Sequence, residues 1–400
     1  MILTSEEQAM LDGEKGRATQ KAMQILAALG TIYAARCLIP VSSVQVAGVS
    51  YDNLGEAGLQ FLAEMADGGG RARVQTTLNP AGMDIENWLE LGIPPDFAEQ
   101  QMRVIEAFAR MGVQTTCTCT PYLVGNLPCL GEHIAWSESS AVCYANAVLG
   151  ARSNREGGPS ALAAALTGRT PEYGLHLDEN RRPGLAVQVI ACLSENTDFG
   201  ALGKAIGEKV QASKAIPYIT GLPSASLEQL KSFCASLATY GGVALFHLPG
   251  LTPEAEHYQP PVESLTITQA DLDAASRSLS DASADEVDFI SLGCPHLTLA
   301  EIAHLASLLD GKQVTREFWV TTARPVKQMA DCLGYTQMIT AAGAKIAADT
   351  CCVVAPIKGR FTALATDSAK ACYYASGKNK IKTLFLPFDK AVQLATQARE

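Results

Sequence analysis

Three of the chain's twelve cysteines stand where an α/β protein would place groups that do chemistry. Cys119 precedes Thr-Pro-Tyr, Cys294 lies in SLGCPH just after the apolar run VDFIS, and Cys351 lies in ADTCCVV. In a parallel sheet the loops beyond the carboxyl ends of the strands share one side, so cysteines far apart in sequence can converge there. Three thiolates can hold an iron–sulfur cluster, and an iron without a protein thiolate keeps an open position for Lewis-acid work. Spacing alone leaves other readings open. There is no Cys-x-x-Cys pair. A zinc site usually brings such pairs or several histidines, and only His133 and His296 lie near these cysteines. A thiol nucleophile at Cys294 has no Cys/His signature beside it. The bland reading of any single cysteine is a buried apolar thiol.

The stretch Thr116 to Ala161 is the densest in polar chemistry. It carries Cys117, Cys119, Cys129, Cys143, His133, Glu132, Glu138, Glu156, Arg152 and Arg155 among small hydroxyl residues and glycines. Its apolar period is patchy, which suggests loops that present groups to a pocket, or simply a well-hydrogen-bonded loop. Arg152 and Arg155 flank Asn154 in ARSNREGGPS, and guanidiniums recognise carboxylate or phosphate through paired hydrogen bonds. Ser368 and Lys370 in TDSAKACYYASGK make a second anion-binding group. Thr76, Thr77 and Asn79 sit where a strand runs into the loop NPAGMD, a place where ligand groups often lie. Each has an ordinary alternative: solvated arginines at a helix end, a capped helix with a surface lysine, or turn chemistry.

The elements that must position these groups follow from the apolar pattern. Residues 4–30 read as one helix capped by Thr4 or Ser5, with Gly30 at its end. LIPVSSVQVAGVSY is β-rich, a helix follows near 55–65, and 72–84 is a strand running into its loop. Residues 95–111 form a helix, and 113–122 a strand that delivers Cys117 and Cys119. From Gly184 onward apolar runs alternate with helical segments: LAVQVIACL, AIPYIT, GVALFHL, DEVDFISLG, FWVTT, KIAADTCCVV and KTLFLP. This β–α alternation predicts an α/β fold with several doubly wound, mainly parallel sheets. Residues 251–286, rich in Pro, Ser and Asp, read as an inserted connection. Four hundred residues exceed one ordinary core, and the expected lobes are 1–183, 184–290 and 291–400.

Composition narrows the partners. The net charge is −10 with no basic tract, and aromatics make up 6%, so neither nucleic acid nor an anionic membrane is expected. The start MILTSEEQAM carries acid where a signal peptide would carry base, and no apolar run is long enough to span a bilayer, so the expected location is cytoplasmic. No Walker loop, no Gly-x-Gly-x-x-Gly after a strand and no Gly-x-Ser-x-Gly is present.

Four long motifs carry a resemblance: TCTCTPYLVGNLPCLGEHIAWSESSAV, LGARSNREGGPSALAAALTGRTPEYG, SLGCPHLTLAEI and DTCCVVAP. They resemble aconitase X, the dehydratase branch of the aconitase superfamily, and the likeness covers essentially the whole chain. The resemblance implies a hydro-lyase with an aconitase-like fold built around an iron–sulfur site. It implies Cys119, Cys294 and Cys351 as cluster ligands, with Cys117 and Cys352 as neighbours. It implies a [4Fe-4S] cluster with one open iron, although the same three thiols could hold [2Fe-2S].

The swivelling domain of aconitase is absent from the sequence, so a separate small subunit is expected to supply it, together with the base. The mechanism would make Arg152 and Arg155 hold a carboxylate or phosphate, and His133 or His296 protonate the departing oxygen. Ser139 would be a catalytic hydroxyl, and Ser140 and Ser50 substrate contacts. The substrate would be a small hydroxy acid: mevalonate 5-phosphate, dehydrated to anhydromevalonate 5-phosphate on an isoprenoid route, or cis-3-hydroxy-L-proline. The split architecture and the TTLNPAGMD loop look more like the phosphorylated substrate. Two rivals remain: a scaffold that keeps a cluster without turnover, and a hydrolase working through Cys294.

Overall fold

The computed structural model describes residues 1–222 and 224–398. Three parallel sheets and one short antiparallel ribbon organise it. The N-terminal helix expected over 4–30 is two, α1 (Ser5–Leu11) and α2 (Arg17–Ile32). Gly13 and Gly16 between them both take positive φ, a conformation that ends one helix before the next can start. Thr4 caps α1 as expected and forms a capping box with Glu7.

The first sheet runs β3-β2-β4, from β2 (Ser43–Val46), β3 (Gln75–Leu78) and β4 (Ile134–Trp136). The ribbon beside it pairs β1 (Leu38–Pro40) with β5 (Arg169–Pro171). Helices α3 (Tyr51–Asp67), α4 (Pro95–Arg110), α5 (Ser139–Ala147) and α6 (Gly158–Thr167) complete this part. The strand expected over 113–122 does not form. Gln114 makes a single bridge to Thr77, and then Cys117 takes φ +35° and turns the chain out of the sheet. Gln45 still holds the segment by donating to the Thr118 carbonyl at 2.8 Å.

The middle sheet runs β7-β6-β8, from β6 (Leu185–Val189), β7 (Pro217–Thr220) and β8 (Ser264–Ile267). β8 and helix α9 (Gln269–Arg277) lie inside 251–286, so that segment is part of the fold and not an inserted connection. Only Ile267 of β8 is buried, which is why an edge strand of this kind reads as polar loop. Conversely GVALFHL is no strand: only His247 bridges, to Tyr218, while Phe246 packs edge-on against Phe233. Helices α7 (Asn196–Val210) and α8 (Leu227–Gly241) lie unusually close. A Cβ on Gly207 would meet the Gly241 amide at 2.8 Å, so the two glycines are what let the backbones touch.

The third sheet is all parallel, in the order β11-β10-β9-β12-β13. Its strands are β9 (Phe289–Leu297), β10 (Glu317–Thr322), β11 (Lys345–Ala348), β12 (Ala363–Thr366) and β13 (Lys382–Phe385). Helices α10 (Leu299–Leu309), α11 (Arg324–Cys332), α12 (Tyr335–Ala341) and α13 (Ala369–Tyr374) flank it. From β9 the chain builds outward to β11 on one side and returns to build β12 and β13 on the other. The crevice beyond the carboxyl ends of β9 and β12 is therefore a topological switch point, where open α/β sheets take ligands.

The three parts share apolar seams. One core joins Trp136 and Cys143 to Phe233 and Leu237, and another joins Met83 and Ile93 to Phe289, Cys294 and Cys351. Arg324 locks the second seam. It pairs with Asp84 at 2.7 Å and with Asp349, while the other oxygen of Asp84 accepts the Ala348 amide at 2.7 Å.

Candidate active site

The switch-point crevice gathers the three cysteines. Cys294 sits where the pairing of β9 with β10 slips, after Gly293 at φ +110°. A Cβ on Gly293 would stand 2.1 Å from the Thr321 carbonyl, so only glycine lets the strand turn there. Cys351 follows β11 in a turn, and Cys119 comes from the irregular segment beside β3. The Cys294 and Cys351 thiols lie within hydrogen-bonding reach, Cys294 adds to the forces that raise Cys119, and the His296 amide donates to Cys119 Sγ at 3.2 Å. All three thiols are buried. Burial pushes Cys119 up to about 12, against the opposing pull of Lys370. The Cys351 contact and burial raise Cys294 well above the ordinary thiol value, although Lys370 and Ser368 pull the other way.

Three buried thiols brought to one crevice beside a buried ammonium are the kind of donors an iron–sulfur cluster takes, binding them as thiolates. The donor set therefore fits an iron–sulfur cluster. Among the described residues, these three cysteines included, no three His, Cys, Asp or Glu side chains form a group placed to hold a single metal ion. Cys117 packs in the core of the first sheet, where it feels Asp349 and Arg324. Cys352 turns to Ser291. Cys351 and Cys352 part company within a turn rather than across a strand.

A cleft of about 200 Å³ opens above this point, lined by Asn79, Ser137, Glu138, Ser139, Arg155 and Lys370 among others. Its hub is Glu138, which caps α5 and accepts from Ser140 Oγ at 2.9 Å and Asn79 Nδ2 at 2.9 Å. Lys370 on α13 completes the cage as a buried ion pair. Burial alone would raise the Glu138 carboxyl, but the Lys370 ammonium and the Ser140 donors hold it at about 2. Arg155 is exposed at the cleft wall and has no partner among the described residues. Asn79 Oδ1 is buried and unpartnered.

Of the residues expected from sequence, Asn79, Ser139, Arg155 and Lys370 line this cleft, and Ser140 and Ser368 support it. Ser368 caps α13 and sits beside Cys294. The others are elsewhere. Arg152 pairs with exposed Asp178 and donates to the His176 carbonyl at 3.2 Å. His133 Nδ1 shares a hydrogen bond with His176 Nδ1 at 3.0 Å, outside the cleft. Asn154 bridges the Tyr173 carbonyl and the Leu175 amide, so it shapes a loop. Thr76 and Thr77 are spent within the first sheet, bonded to Val74 and Val44. Ser50 caps the start of α3 and donates to the Val354 carbonyl at 2.9 Å.

His296 is fully buried, with Nδ1 on Thr118 and Nε2 on Thr350. Burial lowers its pKa to about 4, with a partial counter-pull from the Thr350 bond, so it is neutral and committed rather than a free acid.

Sequence reasoning passed over Glu138, Ser137, Asn53, Tyr374 and Lys378, which also line the cleft. Glu138 had a signal: an acid between serines at the start of a helix, in the densest polar stretch of the chain.

Comparison with known proteins agrees with the architecture. The sequence matches the family profiles described as aconitase X first domain over residues 1–179, second domain over 183–277 and third domain over 287–397. It is 47% identical to the phosphomevalonate dehydratase large subunit of Methanothermobacter thermautotrophicus, over 94% of both chains. It is 35% identical to the cis-3-hydroxy-L-proline dehydratase of Pseudomonas aeruginosa, over 94% of this chain and 66% of that protein. The holo-form crystal structure of Thermococcus kodakaraensis aconitase X superposes with a TM-score of 0.92 at 44% identity, covering 99% of this chain and 100% of that one.

Proposed function

The chain belongs to the aconitase X family, and from that premise we propose that it is the large subunit of a phosphomevalonate dehydratase. It would be a hydro-lyase that converts mevalonate 5-phosphate to anhydromevalonate 5-phosphate in the cytoplasm. The observation that carries the choice of substrate is the 47% identity to an enzyme of that name over 94% of both chains. The cleft supports it: Lys370 is paired with Glu138 and Lys378 with Asp52 at 2.8 Å, which leaves Arg155 as the lining cation without a partner among the described residues. A guanidinium in that state suits a carboxylate or phosphate of the substrate.

Cys119, Cys294 and Cys351 would hold an iron–sulfur cluster, which we take to be [4Fe-4S]. When bound, it supplies a Lewis acid that makes hydroxide a better leaving group. Arg155, free of any internal partner, would clamp an anionic end of the substrate. Asn79 Oδ1 offers an acceptor to a substrate hydroxyl, and Ser139 a hydroxyl at the positive end of α5. Lys370 is tied to Glu138, so its part is to place positive charge where enolate-like charge develops, not to move a proton. Glu138, held at about 2, is too weak a base to take the proton beside the carboxylate. The base would come from a small subunit, the partner implied by the "large subunit" name of the relatives.

The test is anaerobic reconstitution of the chain with its small subunit, followed by parallel assays on both substrates. Loss of mevalonate 5-phosphate, dependent on iron, supports the reading. Turnover of cis-3-hydroxy-L-proline alone, or of neither substrate by an iron-loaded complex, sinks it.

A further inference from the structure

We propose that His296 is the positioning residue that sets all three cluster ligands at once; the inference rests on the cluster reading above. Cys119 and Cys294 stand 175 residues apart in sequence and Cys294 and Cys351 stand 57 apart, and chain entropy alone would leave their loops apart. His296 touches every one of those segments. It lies two residues beyond Cys294 on β9. Its ring accepts or donates at Thr118 Oγ1, 2.9 Å away, and Thr118 is the immediate neighbour of Cys119. At the other edge of the ring, Nε2 meets the carbonyl of Thr350 at 2.9 Å, and Thr350 is the immediate neighbour of Cys351. Its own amide donates to Cys119 Sγ at 3.2 Å. Its carbonyl accepts from Lys231 Nζ at 2.9 Å, which ties in α8 of the middle sheet.

The tautomer follows from these partners. A carbonyl can only accept, so Nε2 carries the ring proton and Nδ1 takes a hydrogen bond from the Thr118 hydroxyl. That hydroxyl also meets Thr120 Oγ1 at 3.1 Å and accepts the Thr120 amide at 3.1 Å, so the Cys119 loop is braced on both sides of the cysteine. A rigid ring with one donor and one acceptor on opposite edges spans the two loops as no amide or hydroxyl side chain would. Cluster ligands must be held to within a few tenths of an ångström, and the residues around them do the holding. With both nitrogens spent and no exposed surface, His296 has no proton to offer a substrate.

The experiment compares full-length wild type with His296→Asn, Thr118→Val and Thr118→Ser after anaerobic reconstitution. The readouts are iron and sulfide retained per chain, the rate of cluster loss to a chelator, and turnover per intact cluster with the small subunit. His296→Asn and Thr118→Val should lose the cluster at least about tenfold faster, the usual size of a second-layer ligand effect. Thr118→Ser, which keeps the hydroxyl, should behave like wild type. Turnover per intact cluster should stay within about threefold, whereas loss of a proton donor costs about 10²–10⁴-fold. If His296→Asn does not fold, the Thr118 pair decides. Wild-type retention in Thr118→Val, or a hundredfold fall in turnover with the cluster kept, overturns the proposal. A wild-type chain that takes up no iron instead overturns the cluster reading, and this inference falls with it.

Discussion

Lys370, in the first turn of α13, reaches across the cleft to pair with Glu138 at the cap of α5, joining the third sheet's wall to the first. Both side chains are nearly buried, at 8% and 10% exposed. Removing one partner of such a pair strands the other charge, at about 3–5 kcal/mol. Lys370→Met should therefore destabilise the chain by about that much in urea unfolding. The double variant with Glu138→Gln should recover most of it. Equal stability of Lys370→Met and wild type would show that the pair is not what holds the walls.

Cys119, Cys294 and Cys351 should each be indispensable for iron. Serine at any one of them should leave little or no cluster after reconstitution, judged by iron content and visible absorbance. Serine at Cys117 or Cys352 should leave the cluster in place, because Cys117 packs in the core of the first sheet and Cys352 hydrogen-bonds with Ser291. Iron loss on changing Cys352 but not Cys351 would reverse the assignment.

Arg155→Ala should leave the melting temperature unchanged, since the side chain is exposed and has no partner among the described residues. It should lower kcat/KM for the phosphorylated substrate by about ten- to a hundredfold, the worth of one or two hydrogen bonds to a charged group. Arg152→Ala should do much less, because Arg152 is spent on Asp178. Equal losses for the two variants would contradict the placement of the cleft.

His176 gives a pH signature. Burial, then the charge of His133 and nearby arginines, hold its pKa at about 3 against an ordinary 6.5. A histidine depressed in this way favours the folded state fully above pH 6.5, and that contribution fades as the pH falls from 6.5 towards 3. The loss is at most about 1.4 kcal/mol per pH unit for one group. Melting temperature should drop between pH 7 and pH 5, and His176→Asn should flatten that slope. An unchanged slope would mean that His176 is not buried neutral.

What sequence could reveal follows from what is local. The long buried strand β9 and the helices with capping boxes announce themselves by apolar runs and by Thr-x-x-Glu signals, and the cysteines at strand ends were legible for the same reason. Short strands were not. β8 buries one residue, and β12 is ALAT, four residues all buried, so neither shows an alternating period. Arg152 and Arg155 stand three apart in one motif and look equivalent. They separate only because Asp178, on a distant turn, captures one of them. His296 was legible as chemistry but not as brace, since its partners lie 178 and 54 residues away.

Arg324 grips Asp84 and Asp349 from opposite sides of the seam below the cleft. Prising the first and third sheets apart would take the buried Asp84 away from its guanidinium, while Arg324 stayed with Asp349 on its own wall, so these walls make a poor hinge. Entry and exit of small molecules would then fall to whatever covers the open mouth. Were the proposed small subunit that cover, tethering it in place should throttle throughput while leaving the bond-breaking step intact.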